Sequence, residues 1–212
     1  MSQYYPVFMD LKEKEVLVVG GGAVAERKIE TLLAHSARVR VVAPALIPPL
    51  LSLVREGQCL WEEKEYADGD IRDAWLVFSC TEKEEVNARV AADARAMARP
   101  VNVVDDPDKC GFIVPSILER GDLTIAVSTA GSSPLVARQI RAEIEQSYGE
   151  EMAEYLALLK KWRVEVKRSL PPEKRAEFWA GVTDGKVRTL IKEGQAKLAE
   201  GVVEQCFQSL LV

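Results

Sequence analysis

The chain has 212 residues, enough for one large domain or for one domain with a smaller companion. Apolar residues make up 48% and charged residues 29%, an ordinary make-up for a globular protein. The 28 basic and 33 acidic side chains leave a net charge of -5, which argues against a general nucleic-acid binder because that function needs an excess of Lys and Arg.

The N-terminal stretch MSQYYPVFMDLKEKE has no basic segment followed by an apolar one, so no signal peptide is expected. No apolar run is long enough to predict a membrane span. Cys59, Cys80, Cys110 and Cys206 form no CxxC and do not cluster with His35, the single histidine. Neither a bound metal nor a disulfide framework is expected, and a reducing cytoplasmic setting fits best.

In chain order, EVLVVG (15–20) predicts a buried strand and AVAERKIETLLAHS (23–36) an amphipathic helix. ARVRVVAP (37–44) predicts a second strand, LIPPLLSLVREG a short helix begun by its prolines, and CLWEEKEY a polar strand near an edge. AWLVFSCT (74–81) and PVNVVDD (100–106) predict two more strands, separated by the alanine-rich helix EEVNARVAADARAMA. Strands alternating with helices in this way predict an α/β architecture: a Rossmann-type, doubly wound parallel sheet over residues 1–113. FIVPSILERGDLTIAVST (112–129) predicts two β segments joined at ERGD, with a helix opening at GSSPLVAR, which makes a β-α segment over 114–149. From 150 to 212 only helical runs remain: MAEYLALLKKWRVEVKRSL, PPEKRAEFWAGV and a single long run from Asp184 to Leu211, with Trp162 and Trp179 as core anchors.

VLVVGGGAVAERK (16–28) carries the chemistry of the first half. Gly20, Gly22 and Ala25 fit G-x-G-x-x-A between a strand and a helix. Gly20 allows the tight turn, Gly22 lets a diphosphate approach bare backbone, and Ala25 permits close helix–strand packing. The helix start at Ala23 and Val24 offers N–H groups and a positive dipole end. A sharp turn with no ligand is the bland alternative. No Asp or Glu ends the second strand to hold a ribose, so backbone near Pro44 and Ala45 is the expected substitute. No arginine follows for a 2′-phosphate, which favours NAD over NADP. Thr81, after the fourth strand, is either a cofactor contact or a helix cap. His35 reads as a surface residue at a helix end.

The runs VGGGAVAERK, VNVVDDPDKCGFIVPS and LTIAVSTAGSSPLVAR, in this order over essentially the whole chain, resemble the siroheme synthase family. Within it they are similar to the precorrin-2 dehydrogenase module, which in some members is also the sirohydrochlorin ferrochelatase. The methyltransferase domain of fused members has no counterpart here, so a stand-alone module is expected. The resemblance implies NAD-dependent oxidation of precorrin-2 to sirohydrochlorin in siroheme biosynthesis. It leaves open whether Fe2+ or Co2+ is then inserted as a second substrate.

Asp105 matches the family's functional aspartate in NVVD and is the expected catalytic acid/base. On local sequence alone, Asp105 and Asp106 are turn residues before Pro107. STAGSSP (128–134) is the second candidate site. Ser128, Thr129, Gly131, Ser132 and Ser133, with Arg138 and Arg141 on the following helix, are expected to hold carboxylates of the tetrapyrrole. Ordinary capping by Ser133 is the alternative. Threonine stands at position 129 where the family has a second small hydroxyl residue. Asn102 is expected either to orient substrate or to point into the sheet. The detached β segments need a partner, and the resemblance implies a homodimer. Two other functions fit the glycine loop: an NAD(H)-sensing regulatory module, or another NAD-linked oxidoreductase.

Overall fold

The computed structural model describes residues 4–211. The chain divides into two compact units, one up to Val114 and one from Pro115.

The first unit contains β1 (Glu15–Val19), α1 (Ala23–Ala34), β2 (Arg38–Ala43), α2 (Pro48–Arg55), β3 (Cys59–Glu63), β4 (Leu76–Ser79), α3 (Glu84–Ala96) and β5 (Val101–Val103). All strand pairs are parallel and the order is β3-β2-β1-β4-β5. A parallel sheet is covered on both faces, which is why its central strands read as unbroken apolar runs. Alternation along the strands sends Val16, Val18, Val39, Val41 and Phe78 to one layer, with Ile29 and Leu32 of α1 and Leu50 of α2. Leu17, Val19, Val77, Val101 and Val103 go to the other, with Val90, Ala91 and Ala94 of α3. Burying each such aliphatic side chain contributes about 1.5–3 kcal/mol.

Arg40 breaks the apolar pattern of β2, yet it is only 6% exposed. Its Nε donates to Glu15 (3.0 Å), Nη1 to Glu62 (3.3 Å) and Nη2 to the Asp70 carbonyl oxygen (2.6 Å). Lys64 donates to the buried Asp70 carboxylate (2.6 Å), which also accepts from the Ala67 amide (2.8 Å). The cluster ties the edge strand β3 and the loop after it to the centre of the sheet.

The two borders of the sheet differ from its middle. On one side β3 ends in Glu62 and Glu63. On the other, β5 is three residues long. Asp105 follows it with φ +59°, and Pro107 opens a 3-10 turn over Pro107–Lys109.

The second unit begins with an antiparallel hairpin of β6 (Ser116–Arg120) and β7 (Leu123–Val127), followed by α4 (Pro134–Ser147). Four helices complete it: α5 (Glu151–Ser169), α6 (Pro172–Val182), α7 (Lys186–Lys192) and α8 (Ala196–Leu210). Their core centres on Phe178, fully buried, with the Phe207 ring centroid 6.1 Å away and Trp162 5.2 Å from Phe207. Trp179 packs edge-on to Phe178 at 5.0 Å. The last segment is two helices rather than the single run expected from its periodicity. Gly194 takes φ +74° between them, a left-handed conformation that ends α7.

Candidate functional site

The strand order reverses between β1 and β4, so the crevice of the first unit lies at their carboxyl ends. The three glycines meet there, each under a different constraint. Gly20 has φ +120°, and a Cβ on it would come within 2.5 Å of the Cys80 carbonyl oxygen. A Cβ on Gly21 would lie 2.1 Å from the Ala45 carbonyl oxygen and 2.7 Å from Leu46. The Ile47 amide also donates to the Gly21 carbonyl oxygen (3.0 Å), so the loop after β2 is clamped onto the glycine run. A Cβ on Gly22 would meet nothing within 4 Å. Gly22 is the N-cap of α1, and no side chain caps that helix.

The first α1 amides, from Ala23 to Ala25, therefore lack the side-chain acceptor that usually satisfies a helix start. Ala23 is exposed, whereas Ala25 is fully buried against the sheet. Pro44 and Ala45 are exposed at the end of β2. These features fit a diphosphate: open space before an uncapped helix N-terminus, with no side chain in the way. Gly21 was only a spacer in the sequence pattern. Its packing against Ala45 is a contact between loops that no local motif reveals.

Thr81 lies beside Gly20 at the end of β4, but its hydroxyl is occupied inside the turn. It accepts from the Lys83 amide (3.1 Å) and lies 3.1 Å from both the Lys83 carbonyl oxygen and Asn87 Oδ1. It closes a local turn just before α3, whose N-cap is Lys83 with no side-chain cap, so Thr81 is not the cap of that helix. The Cys80 thiol, next in the chain, is pushed up to about 12 by burial and stays protonated. His35 is exposed at the end of α1, with Nδ1 2.8 Å from the Thr31 carbonyl oxygen.

Asp105 is exposed at the carboxyl end of β5 in a left-handed conformation. Asp adopts such backbone more readily than most residues, and Glu13, Ser36, Arg72, Ala98 and Ala130 share it at other turns. The neighbours of Asp105 are well braced. The Asp106 carboxylate accepts from the Lys109 amide (3.2 Å) and pairs with the Lys109 ammonium, which also reaches Glu84 at the start of α3. That pairing holds the Asp106 carboxyl below the usual range. Cys110 Sγ accepts from the Val103 amide (3.2 Å) and lies 3.2 Å from the carbonyl oxygens of Val103 and Asp106. Asn102 is buried, and its Nδ2 donates to the Phe112 carbonyl oxygen (3.1 Å). This closes the loop from below. Asn102 thus braces the Asp105 turn.

The second candidate stretch lies in the other unit, before α4. Ser128 Oγ accepts from the Ala130 amide (3.0 Å). Thr129 Oγ accepts from the Ser133 amide and donates to the Ser133 carbonyl oxygen, both at 3.0 Å. Ser133 Oγ caps α4 by accepting from the Val136 amide (3.3 Å). These three hydroxyls shape the loop. Gly131 (φ +88°), Ser132 and Arg138 are exposed beyond it, while Arg141 pairs with Glu145 at 2.8 Å.

Among the described residues, no group of three His, Cys, Asp or Glu side chains is placed to hold a metal ion. Among the same residues no helix is long and apolar enough to cross a membrane.

Three family models match consecutive stretches of the chain. Residues 7–116 match a family described as "Putative NAD(P)-binding", residues 120–147 the sirohaem biosynthesis protein central region, and residues 152–207 the sirohaem synthase dimerisation region. The chain belongs to the siroheme synthase family. Siroheme synthase 1 of Serratia proteamaculans is 37% identical over 203 residues, covering 95% of this chain and 43% of that protein. Siroheme synthase of Neisseria meningitidis serogroup B is 39% identical over 211 residues, covering 97% and 44%. The chain therefore spans less than half the length of these curated relatives. Among solved structures, SirC, precorrin-2 dehydrogenase, superposes with a TM-score of 0.82 at 27% identity, covering 95% of this chain and all of that one. The α/β architecture is thus that of a solved precorrin-2 dehydrogenase, and the glycine loop falls inside the segment matched to NAD(P) binding.

Proposed function

We propose that the chain is an NAD-dependent precorrin-2 dehydrogenase that yields sirohydrochlorin, working as a homodimer in a cytosolic setting. The observation that carries this reading is the end-to-end likeness to SirC, precorrin-2 dehydrogenase, over 95% of this chain and 100% of that one. The dimer reading is supported by the dimerisation-region match and by the exposed apolar side chains Leu135, Val136 and Ile140 on α4. When bound, NAD supplies the hydride acceptor.

The chain's own residues do the rest. The open space at Gly22 and the uncapped start of α1 hold the diphosphate. Backbone at Pro44 and Ala45 supports the ribose, in place of an acidic side chain. Asp105 takes the proton that leaves the substrate alongside the hydride, and its exposed position at a strand end suits that task. Gly131, Ser132 and Arg138 of the second unit are free to meet substrate carboxylates, while Ser128, Thr129 and Ser133 set the loop's shape.

Anaerobic incubation with precorrin-2 and NAD tests the reading. NADH should appear with matching loss of precorrin-2 absorbance. Neither signal above a no-protein control would overturn it. Adding ferrous or cobaltous ion to the product then reads metal insertion as a separate step.

A further inference from the structure

One buried polar side chain in the first unit has no place in the chemistry above. Asn87 lies in the first turns of α3 and is 6% exposed. Burying an amide is unfavourable unless its hydrogen bonds are made, so its partners matter. Its Oδ1 accepts from the Ser79 hydroxyl (2.7 Å), and the Thr81 hydroxyl lies 3.1 Å away. Its Nδ2 donates to the Thr81 carbonyl oxygen (2.9 Å). One side chain thus grips the last residue of β4 and the backbone two residues later.

What it grips lies between the two halves of the candidate site. Next to Ser79, the Cys80 amide donates to the Val19 carbonyl oxygen at 2.7 Å, just before the glycine loop. The Ser79 carbonyl oxygen accepts from Val104 at 3.0 Å, just before Asp105. The Cys80 carbonyl and Thr81 amide are also the groups a Cβ on Gly20 would strike. The Thr81 amide itself has no hydrogen-bond acceptor among the described residues. It is a backbone donor left available at the rim of the crevice.

We propose that Asn87 is a positioning residue for dinucleotide binding: by holding the Thr81 carbonyl it fixes the β4–α3 turn so that the Thr81 amide is presented beside the glycine loop. This rests on the NAD reading above. In this role the Thr81 hydroxyl only shapes the turn, and the Thr81 backbone is the group presented.

The test is titration of the full chain with NAD, comparing wild type, Asn87→Asp and Thr81→Ala. Asn87→Asp keeps the acceptor for Ser79 but loses the donor to the Thr81 carbonyl. It should weaken NAD binding about fivefold or more, the loss expected for one buried hydrogen bond. Thr81→Ala should change affinity less than about fivefold, because its backbone stays held. In turnover assays Asn87→Asp should raise KM for NAD and leave KM for the tetrapyrrole unchanged. A purely structural defect would act on both substrates alike, and would not raise KM for NAD selectively. Urea unfolding of each variant gives its folded fraction, and the apparent binding constant is corrected for it, so a destabilised variant still gives an answer.

Asn87→Asp binding within about fivefold of wild type overturns the role. So does Thr81→Ala weakening binding as much as Asn87→Asp, which would give the Thr81 hydroxyl, rather than the Asn87 grip on the backbone, control of binding. Failure of the wild type to bind NAD overturns the dinucleotide reading, and this proposal with it.

Discussion

A Cβ on Gly21 would sit 2.1 Å from the carbonyl oxygen of Ala45, backbone against backbone. Gly22, one residue on, has open space where its Cβ would be. The two glycines therefore answer differently to the same substitution. Gly21→Ala should destabilise the first unit by about 1–3 kcal/mol, the usual range for overpacking. Gly22→Ala should cost about 1 kcal/mol or less, since its φ of -96° suits alanine. It should nonetheless weaken NAD binding about tenfold by placing a methyl group in the open space proposed for the diphosphate. Thermal unfolding and NAD titration of both variants separate the two effects.

Asp105 gives the sharpest test of catalysis. Asn tolerates left-handed backbone as Asp does, so Asp105→Asn removes the charge with little conformational change. Turnover should fall about 10²–10⁴-fold while NAD affinity stays near wild type. Asp105→Ala adds backbone strain and should also lower stability. An NAD-sensing module would keep its ligand response in both variants, so unchanged function in Asp105→Asn would favour that alternative.

The Arg40 cluster predicts a specific acid sensitivity. Burial alone would raise the Asp70 carboxyl, but the Lys64 hydrogen bond, the Ala67 amide and the Arg40 charge together hold it below its ordinary value. The Lys64 hydrogen bond, opposed by desolvation and helped by Arg40, does the same for Glu62. Both pKa values are depressed on folding. Their stabilisation is therefore present above the unfolded carboxyl range, about pH 4, and is lost as pH falls through the lower folded values. Asp70→Asn should be less stable than wild type at neutral pH, with the difference shrinking under acid. Arg40→Met should cost about 3 kcal/mol at neutral pH by leaving carboxylates without their buried partner. Urea unfolding at neutral and acid pH checks both.

The exposed Leu135 and Ile140 on α4 give a handle on assembly. Ile140→Glu should shift the chain toward monomer in analytical ultracentrifugation, and an unchanged dimer would remove this helix from the interface. The α4 cap can be tested alongside it. Ser133→Ala should cost about 1 kcal/mol of stability, without the loss of substrate affinity that a direct carboxylate contact would bring.

Much of this was legible because parallel strands and their helices write periodic patterns. Val16 to Val19 and Leu76 to Ser79 could only be buried strands, and Gly20–Gly22 could only be a turn into a helix. The edge position of CLWEE follows from its polarity. Other features depend on neighbours far away in the chain. Gly21 is fixed by Ala45, Arg40 by Glu15, Glu62 and Asp70, and Asn87 by Ser79 and Thr81. None of these pairs shares a local motif. The sequence leaves Thr81 and Asn102 open between a ligand contact and a structural role, and their side chains are engaged by the Lys83 amide and the Phe112 carbonyl oxygen. The single run after Asp184 concealed Gly194, because glycine inside an amphipathic pattern interrupts the helix without disturbing the spacing of its apolar residues.

The borders of the five-stranded sheet have a consequence for association. A strand joining beside β5 would find three residues of ladder, then backbone turned away at Asp105 and a missing amide at Pro107. One joining beside β3 would meet Glu62 and Glu63. Neither margin is a good template for another chain, so this sheet resists runaway strand addition and leaves self-recognition to other surfaces.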